Sequence, residues 1–241
     1  FFSKLEEEGA AAVSSWTAKK GIDIFEKKFI FIPVNKDIHW SLFVIVNPGK
    51  VENANDNLVE NDDDVLEHPF LLFMDSLRAH KKKKIWDTIR KWLNAEAKRL
   101  GKFKRMNTDT PFSNSTFPVV DPRVPYQDNS WDCGVFVCRY AFSMLHLINV
   151  SFEQKHSEWT NAATRRAQVT KWITKSPEFD FDMRDIARLR QEIANLIDSL
   201  STIYSLKIEQ KNKKKKLLAE KKKEESEESK KKFQGVGSME C

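Results

Sequence analysis

The residue with the most chemistry within reach is Cys133. It stands in Gln127-Asp128-Asn129-Ser130-Trp131-Asp132-Cys133-Gly134-Val135-Phe136-Val137-Cys138, where a polar loop meets an apolar run. A helix that starts there offers unpaired N–H groups and the positive end of its dipole, and both favour a negative charge. The thiolate is the reactive form of cysteine, so the junction suits a nucleophile. Gly134 carries no side chain and lets a substrate approach the backbone closely. Taken alone, a cysteine reads more readily as a small buried hydrophobe, and only its neighbours change that balance. Gln127, six residues upstream, is a side-chain amide that can donate to an oxyanion together with the N–H of Cys133. On spacing alone it reads equally as a solvated loop residue.

A thiol nucleophile needs a base, and the base needs an orienting partner. There are five histidines. His68 lies in an acidic segment, His80 adjoins a lysine run, His146 falls in the apolar run after Cys133, and His156 sits in a polar loop. His39 follows a turn and precedes an apolar run, which places it at a sheet end. Asp75 directly follows another such run, Phe70 to Met74. Two side chains at strand ends can be held rigidly, as a base and its carboxylate require. Spacing alone leaves the catalytic and the structural readings of His39 near even.

The elements that would position these residues follow from hydropathy patterning. Phe29–Val34 and Trp40–Val46 are apolar runs separated by Asn35-Lys36-Asp37, and together they read as a hairpin. Phe70–Met74 is a third strand, reached through a polar, acidic loop insertion over about 47–69 that includes Asp62-Asp63-Asp64. A short helix is expected within 1–20. Ile85, Trp86, Ile89, Trp92, Leu93, Ala97 and Leu100 recur at helical spacing, in a helix that stops at Gly101. Residues 107–125, with four prolines, read as a long loop. Val135–Ile148 is apolar almost all round and is expected to be a central buried helix, with Cys138 packed in the core. Further helices are expected over 160–174 and 182–206. No internal repeat is present.

The net charge of +6 is concentrated at one end. Residues 207–241 hold 12 Lys and 7 Glu, whereas the first 206 residues hold 29 basic and 28 acidic side chains. The near-neutral body argues against a nucleic-acid-binding fold. The Lys/Glu-rich end is expected to be a disordered tail, and Lys213–Lys216 within it read either as solvated or as a nuclear localisation signal. Lys81–Lys84 read as a solvated face. Three cysteines do not make a disulfide framework, and C-x4-C without a second pair does not make a zinc site. The longest apolar runs fall far short of the ~18 residues of a membrane span. No cofactor or metal is expected, and the chain is expected to be a monomer. It begins at Phe1, without a methionine, and is expected to be a fragment of a longer protein.

His39-Trp40-Ser41-Leu42, Phe73-Met74-Asp75-Ser76 and Gln127-x5-Cys133-Gly134-Val135-Phe136 occur in the order His, Asp, Gln, Cys. This resembles the Ulp/SENP family of SUMO proteases, over roughly residues 1–200. Trp16-Thr17, Ile22–Phe25 and Phe29–Val34 resemble the segment before that family's histidine, and Phe179-x3-Met183 with Arg188-x-Arg190 resembles its final helix. The resemblance implies an α+β fold in the adenain-like (Ulp) branch of the papain-like cysteine proteases. A mixed central sheet would pack against a buried helix bearing the nucleophile. The protease domain would span 1–206, without the family's N-terminal Trp-Leu-Asn-type segment. The resemblance further implies Cys133 as nucleophile, His39 as base, Asp75 as its orienter and Gln127 in the oxyanion hole. Trp40 would cover a narrow channel for the modifier's Gly-Gly tail.

The implied partner is SUMO or a related ubiquitin-like protein and its conjugates, in the nucleus or cytoplasm. The implied reaction is cleavage after the modifier's last glycine. Other readings are a Nedd-type or ubiquitin protease, a modifier-binding domain without activity, and an acetyltransferase built on a similar triad.

Overall fold

The computed structural model describes residues 1–55, 68–151 and 162–235. Asp62–Asp64 of the expected acidic insertion, His156 and Cys241 lie outside the described residues. The chain divides into two units, Phe1–Ala187 and Arg188–Cys241.

Four strands form the sheet of the first unit: β1 (Phe29–Lys36), β2 (His39–Val46), β3 (Phe70–Met74) and β4 (Val119–Val120), in that spatial order. β1, β2 and β3 pair antiparallel, and β3 pairs β4 in parallel, so the sheet is mixed. β1 and β2 are longer than the sequence reading has them and share a two-residue turn. Asp37 and Ile38 both have positive φ, 51° and 59°, which matches the handedness of a tight hairpin. His39 is thereby the first residue of β2, opposite Lys36.

The uninterrupted apolar runs of β2 and β3 are explained by burial on both faces. Leu42, Val44, Val46, Phe70, Leu72 and Met74 pack towards α4 (Cys133–Ser151), together with Val169 and Ile173 of α5 (Ala162–Thr174). Phe43, Ile45, Leu71 and Phe73 pack on the other side, towards α3 (Lys82–Leu100) and two short N-terminal helices, α1 (Phe2–Glu8) and α2 (Ala10–Ala18). The sequence reading has one helix in this N-terminal region. The structure has two because Gly9 leaves the helical range, with φ 82° and ψ 179°. α3 ends as expected, with Gly101 in the left-handed conformation at φ 65°.

Two helices differ from the sequence reading. α4 is not buried all round: Cys138, Phe142 and Leu145 are exposed, one turn apart on its outer face, so Cys138 is not a core residue. Apolarity alone does not say which side of a helix meets the sheet. The last helix, α6, runs continuously over Met183–Gly235, through the segment where a disordered tail is expected. Leu, Lys and Glu all favour helix, and a Glu209–Lys213 pair one turn apart adds support.

A close approach fixes the end of β2. The main-chain N–H of Asn47 donates to the Lys28 carbonyl. A Cβ on Gly49 would lie 2.2 Å from the Phe25 carbonyl oxygen, and that neighbour is backbone that cannot swing away. Gly49→Ala is therefore expected to destabilise the chain by about 1–3 kcal/mol in denaturant unfolding. A change near zero would mean that this corner is loosely packed.

Candidate active site

Asp75 follows the last residue of β3, and its carboxylate collects four donors. Oδ1 accepts from His39 Nε2 at 2.6 Å, Leu77 N at 3.0 Å and Arg78 N at 2.9 Å, and Oδ2 accepts from His80 N at 3.1 Å. The loop after β3 is thus wound around the carboxylate, with Arg78 at φ 52°. Burial by itself would raise the pKa of Asp75. The hydrogen bond from His39, the main-chain donors and the attraction of His39 outweigh it, so the carboxyl titrates below its ordinary range. His39 and Asp75 are both buried. The bond to Asp75 occupies Nε2 of His39. Its other ring nitrogen, Nδ1, is buried and has no hydrogen-bond partner.

Cys133 is the first residue of α4, and it is buried with a free thiol. The bond from Phe136 N to Asp132 O, 2.9 Å, makes Asp132 the residue before the first turn. The N–H of Cys133 therefore has no partner within the helix, as at any helix start. α4 lies against β2, and a Cβ on Gly134 would sit 3.9 Å from Cδ1 of Trp40. Cys133 and His39 are each one residue away from this contact. Trp40 remains 39% exposed, so its indole borders solvent above the start of the helix.

Gln127 is fully buried rather than solvated. Its N–H donates to the Ser76 carbonyl at 3.1 Å, and Ser76 Oγ donates to its Oε1 at 2.8 Å. Nε2 donates to the Asn129 carbonyl at 2.6 Å and has Asn129 Oδ1 at 3.5 Å. Asn129 in turn bonds the N–H groups of Trp131 and Asp132 and the Asp132 carboxylate. Tyr140, one face of α4 further on, donates to the Pro125 carbonyl at 2.6 Å and ties the helix to the same loop. Burial pushes the Tyr140 hydroxyl far above its ordinary pKa, so it stays a donor.

Ser76, Ser41, Asn129, Tyr140 and His80 are supporting residues that the sequence reading passes over. For His80 the signal was its position five residues after Asp75, obscured by the lysines that follow. Donor atoms of His39, Asp75 and His80 lie within 4.8 Å of one another, a spacing that can hold a metal. Nε2 of His39, both ring nitrogens of His80 and the Asp75 carboxylate are engaged with one another, with Ser41, with the Lys36 carbonyl or with main-chain N–H groups, which describes a hydrogen-bond network.

The family model described as Ulp1 protease family, C-terminal catalytic domain, matches residues 1–200. The probable ubiquitin-like-specific protease 2B of Arabidopsis thaliana is 37% identical over 153 residues, which are 58% of this chain and 16% of that protein. The ubiquitin-like-specific protease 2 of Schizosaccharomyces pombe is 27% identical over 222 residues, covering 85% and 32%. The human sentrin-specific protease 2 is 30% identical over 142 residues, covering 58% and 20%. The chain thus spans no more than a third of the length of these relatives. A solved structure of a de-sumoylating protease has the same fold, with a TM-score of 0.50, 22% identity, and coverage of 84% of this chain and 71% of that one.

Removing the charge of Asp75 leaves Asn Nδ2 facing the His80 N–H, donor against donor. Asp75→Asn is expected to cost about 1–3 kcal/mol of stability. Because the folded-state pKa is lowered, the contribution is complete above the ordinary carboxyl value of 3.8 and is lost as the pH falls through the folded-state value. The stability gap between wild type and variant, measured by urea unfolding from neutral to acid pH, should therefore close only on the acid side. A gap independent of pH would contradict this.

Proposed function

The chain belongs to the Ulp1 protease family, in its C-terminal catalytic domain, and we propose that it is a cysteine peptidase cleaving after the C-terminal Gly-Gly of a ubiquitin-like modifier of the SUMO class. The observation that carries the reading is the buried His39–Asp75 hydrogen bond, which leaves Nδ1 of His39 unpaired. Its setting is the first turn of α4, with Cys133 at its start and Gly134 against Trp40. The names of the relatives, ubiquitin-like-specific and sentrin-specific proteases, support the substrate class. On this reading the chain works in the nucleus or cytoplasm. Among the described residues no helix is long and apolar enough to cross a membrane.

The reaction is acyl transfer. His39 takes the thiol proton of Cys133 on Nδ1, and Asp75 stabilises the imidazolium. The thiolate sulfur bonds to the carbonyl carbon of the modifier's last glycine. The resulting oxyanion accepts hydrogen bonds from the N–H of Cys133 and from the Gln127 amide. Gln127 Nε2 has two protons. One is held by the Asn129 carbonyl, and the other meets only a contact at 3.5 Å, too long to be strong. The Ser76–Oε1 bond keeps the donor end of the amide turned this way. The carbon–nitrogen bond then breaks as His39 protonates the leaving amine, either a lysine ε-amine or a peptide nitrogen. Water, giving a proton to His39, hydrolyses the thioester and regenerates the thiol.

Cleavage of a SUMO–reporter fusion checks the assignment. Wild type is expected to cleave it and Cys133→Ala to be inactive, whereas cleavage by Cys133→Ala would refute the nucleophile. Gly134→Ala adds a methyl in ordinary contact with Trp40 and should fold normally. It is expected to lose about tenfold or more in kcat/KM, because it narrows the passage for the Gly-Gly tail. Faster cleavage of ubiquitin or Nedd-type fusions than of SUMO would move the substrate to those modifiers.

A further inference from the structure

A second histidine stands beside the first. His80 is buried, and its ring centroid is 4.7 Å from that of His39, with the planes 55° apart. Three hydrogen bonds hold it. Its main-chain N–H reaches Asp75 Oδ2, its Nε2 lies 3.0 Å from the Lys36 carbonyl oxygen, and its Nδ1 lies 2.8 Å from Ser41 Oγ. A carbonyl oxygen can only accept, so Nε2 carries a proton. In the neutral ring Nδ1 is then the acceptor, and the Ser41 hydroxyl donates to it. For an uncharged ring these contacts select the Nε2–H tautomer.

The placement gathers three strand ends around one pair. Lys36 ends β1 and faces His39 across the two-residue turn. Ser41 lies two residues beyond His39, on the same side of β2. Asp75 follows β3. His39 and Asp75 are titratable groups in contact with His80, and Asp75 is held by His39 and main-chain donors; the ammonium of Lys36, whose carbonyl His80 meets, is paired with Glu6 at 2.7 Å. When His39 accepts the thiol proton it becomes a cation. A neutral neighbour at this range tolerates that charge, whereas a second imidazolium would oppose it.

We propose that His80 is a positioning residue for the His39–Asp75 pair: a neutral Nε2–H imidazole, locked by the Lys36 carbonyl and the Ser41 hydroxyl, that fixes the plane of the His39 ring. The proposal rests on the reading of His39 as base and Cys133 as nucleophile. His80 acts through His39 and does not touch substrate.

The test uses the full chain and needs no modifier. At the pH at which Cys133 is alkylated with iodoacetamide, long-range 1H–15N spectra of the histidine rings are expected to show His80 as the Nε2–H tautomer. His80→Gln keeps the main-chain bond to Asp75 and a donor able to reach Lys36, but removes the ring packed on His39. It is expected to melt close to wild type, to slow alkylation of Cys133 about ten- to a hundredfold, and to shift its pH profile. Ser41→Ala should change the rate in the same direction by less. A cationic or Nδ1–H His80 in the spectra overturns the proposal. So does a folded His80→Gln with the wild-type rate and pH profile. If His80→Gln does not fold, the wild-type spectra and Ser41→Ala decide. His39→Ala separates the two claims. An unchanged alkylation profile in that variant overturns the catalytic pair and the role of His80 with it. A changed profile there, with none in His80→Gln, overturns the role of His80 alone.

Discussion

A carboxylate taken out of water needs compensating hydrogen bonds, and much of the candidate site is arranged around that requirement at Asp75. Its oxygens accept from one side chain and three main-chain N–H groups, so the loop after β3 has little freedom left. Leu77, Arg78 and His80 are held where they are because each supplies a donor. The same bonds fix the ring of His39 through Nε2 and leave Nδ1 unpaired. Moving His39 would take one of four donors from a buried carboxylate, so the orientation of the ring is held by that hydrogen bond as well as by packing.

The neighbouring residue extends this control to the other half of the site. The Ser76 hydroxyl donates to Gln127 Oε1, and the Ser76 carbonyl accepts from Gln127 N–H. One dipeptide at the end of β3 therefore sets both the orienting carboxylate and the side-chain amide. From Gln127 the network passes to Asn129 and Asp132, which stands immediately before Cys133. Tyr140 ties the body of α4 to the same loop through Pro125. The start of the helix is thus linked to the strand ends by a continuous chain of hydrogen bonds, with the apolar layer of Leu42, Val44, Leu72 and Met74 beneath it. In the proposed reaction this linkage joins the elements that carry the nucleophile, the base and the oxyanion donors.

Much of the fold was legible because burial leaves strong patterns. β2 and β3 are covered on both faces, so their runs are continuous, and α3 is covered on one, so its stripe is clear. What was not legible depended on contacts between distant segments. The turn between β1 and β2 is shorter than the run of polar residues suggests, because Asp37 and Ile38 adopt left-handed backbone that sequence rarely signals for isoleucine. The outer face of α4 is as apolar as the inner, so nothing local distinguishes exposed Cys138 from a core residue. Charge composition suggested disorder after residue 206, while the same residues also have high helix propensity, and α6 extends to Gly235. At the candidate site, the order His39, Asp75, Gln127, Cys133 was readable from motif alone. The supporting role of His80 was hidden because its bonds go to Lys36 and Ser41, 44 and 39 residues away.

In the proposed reaction a single thiol, activated by His39, reacts with the C-terminus of a ubiquitin-like modifier. Covalent trapping tests it most directly, using SUMO whose C-terminal glycine is replaced by a vinyl electrophile, followed by peptide mapping of the adduct. A one-to-one adduct on Cys133 is expected, with none on Cys138 despite its exposure and a strong loss of labelling in His39→Ala. An adduct on another residue, or labelling of Cys133 that is indifferent to His39, would contradict it.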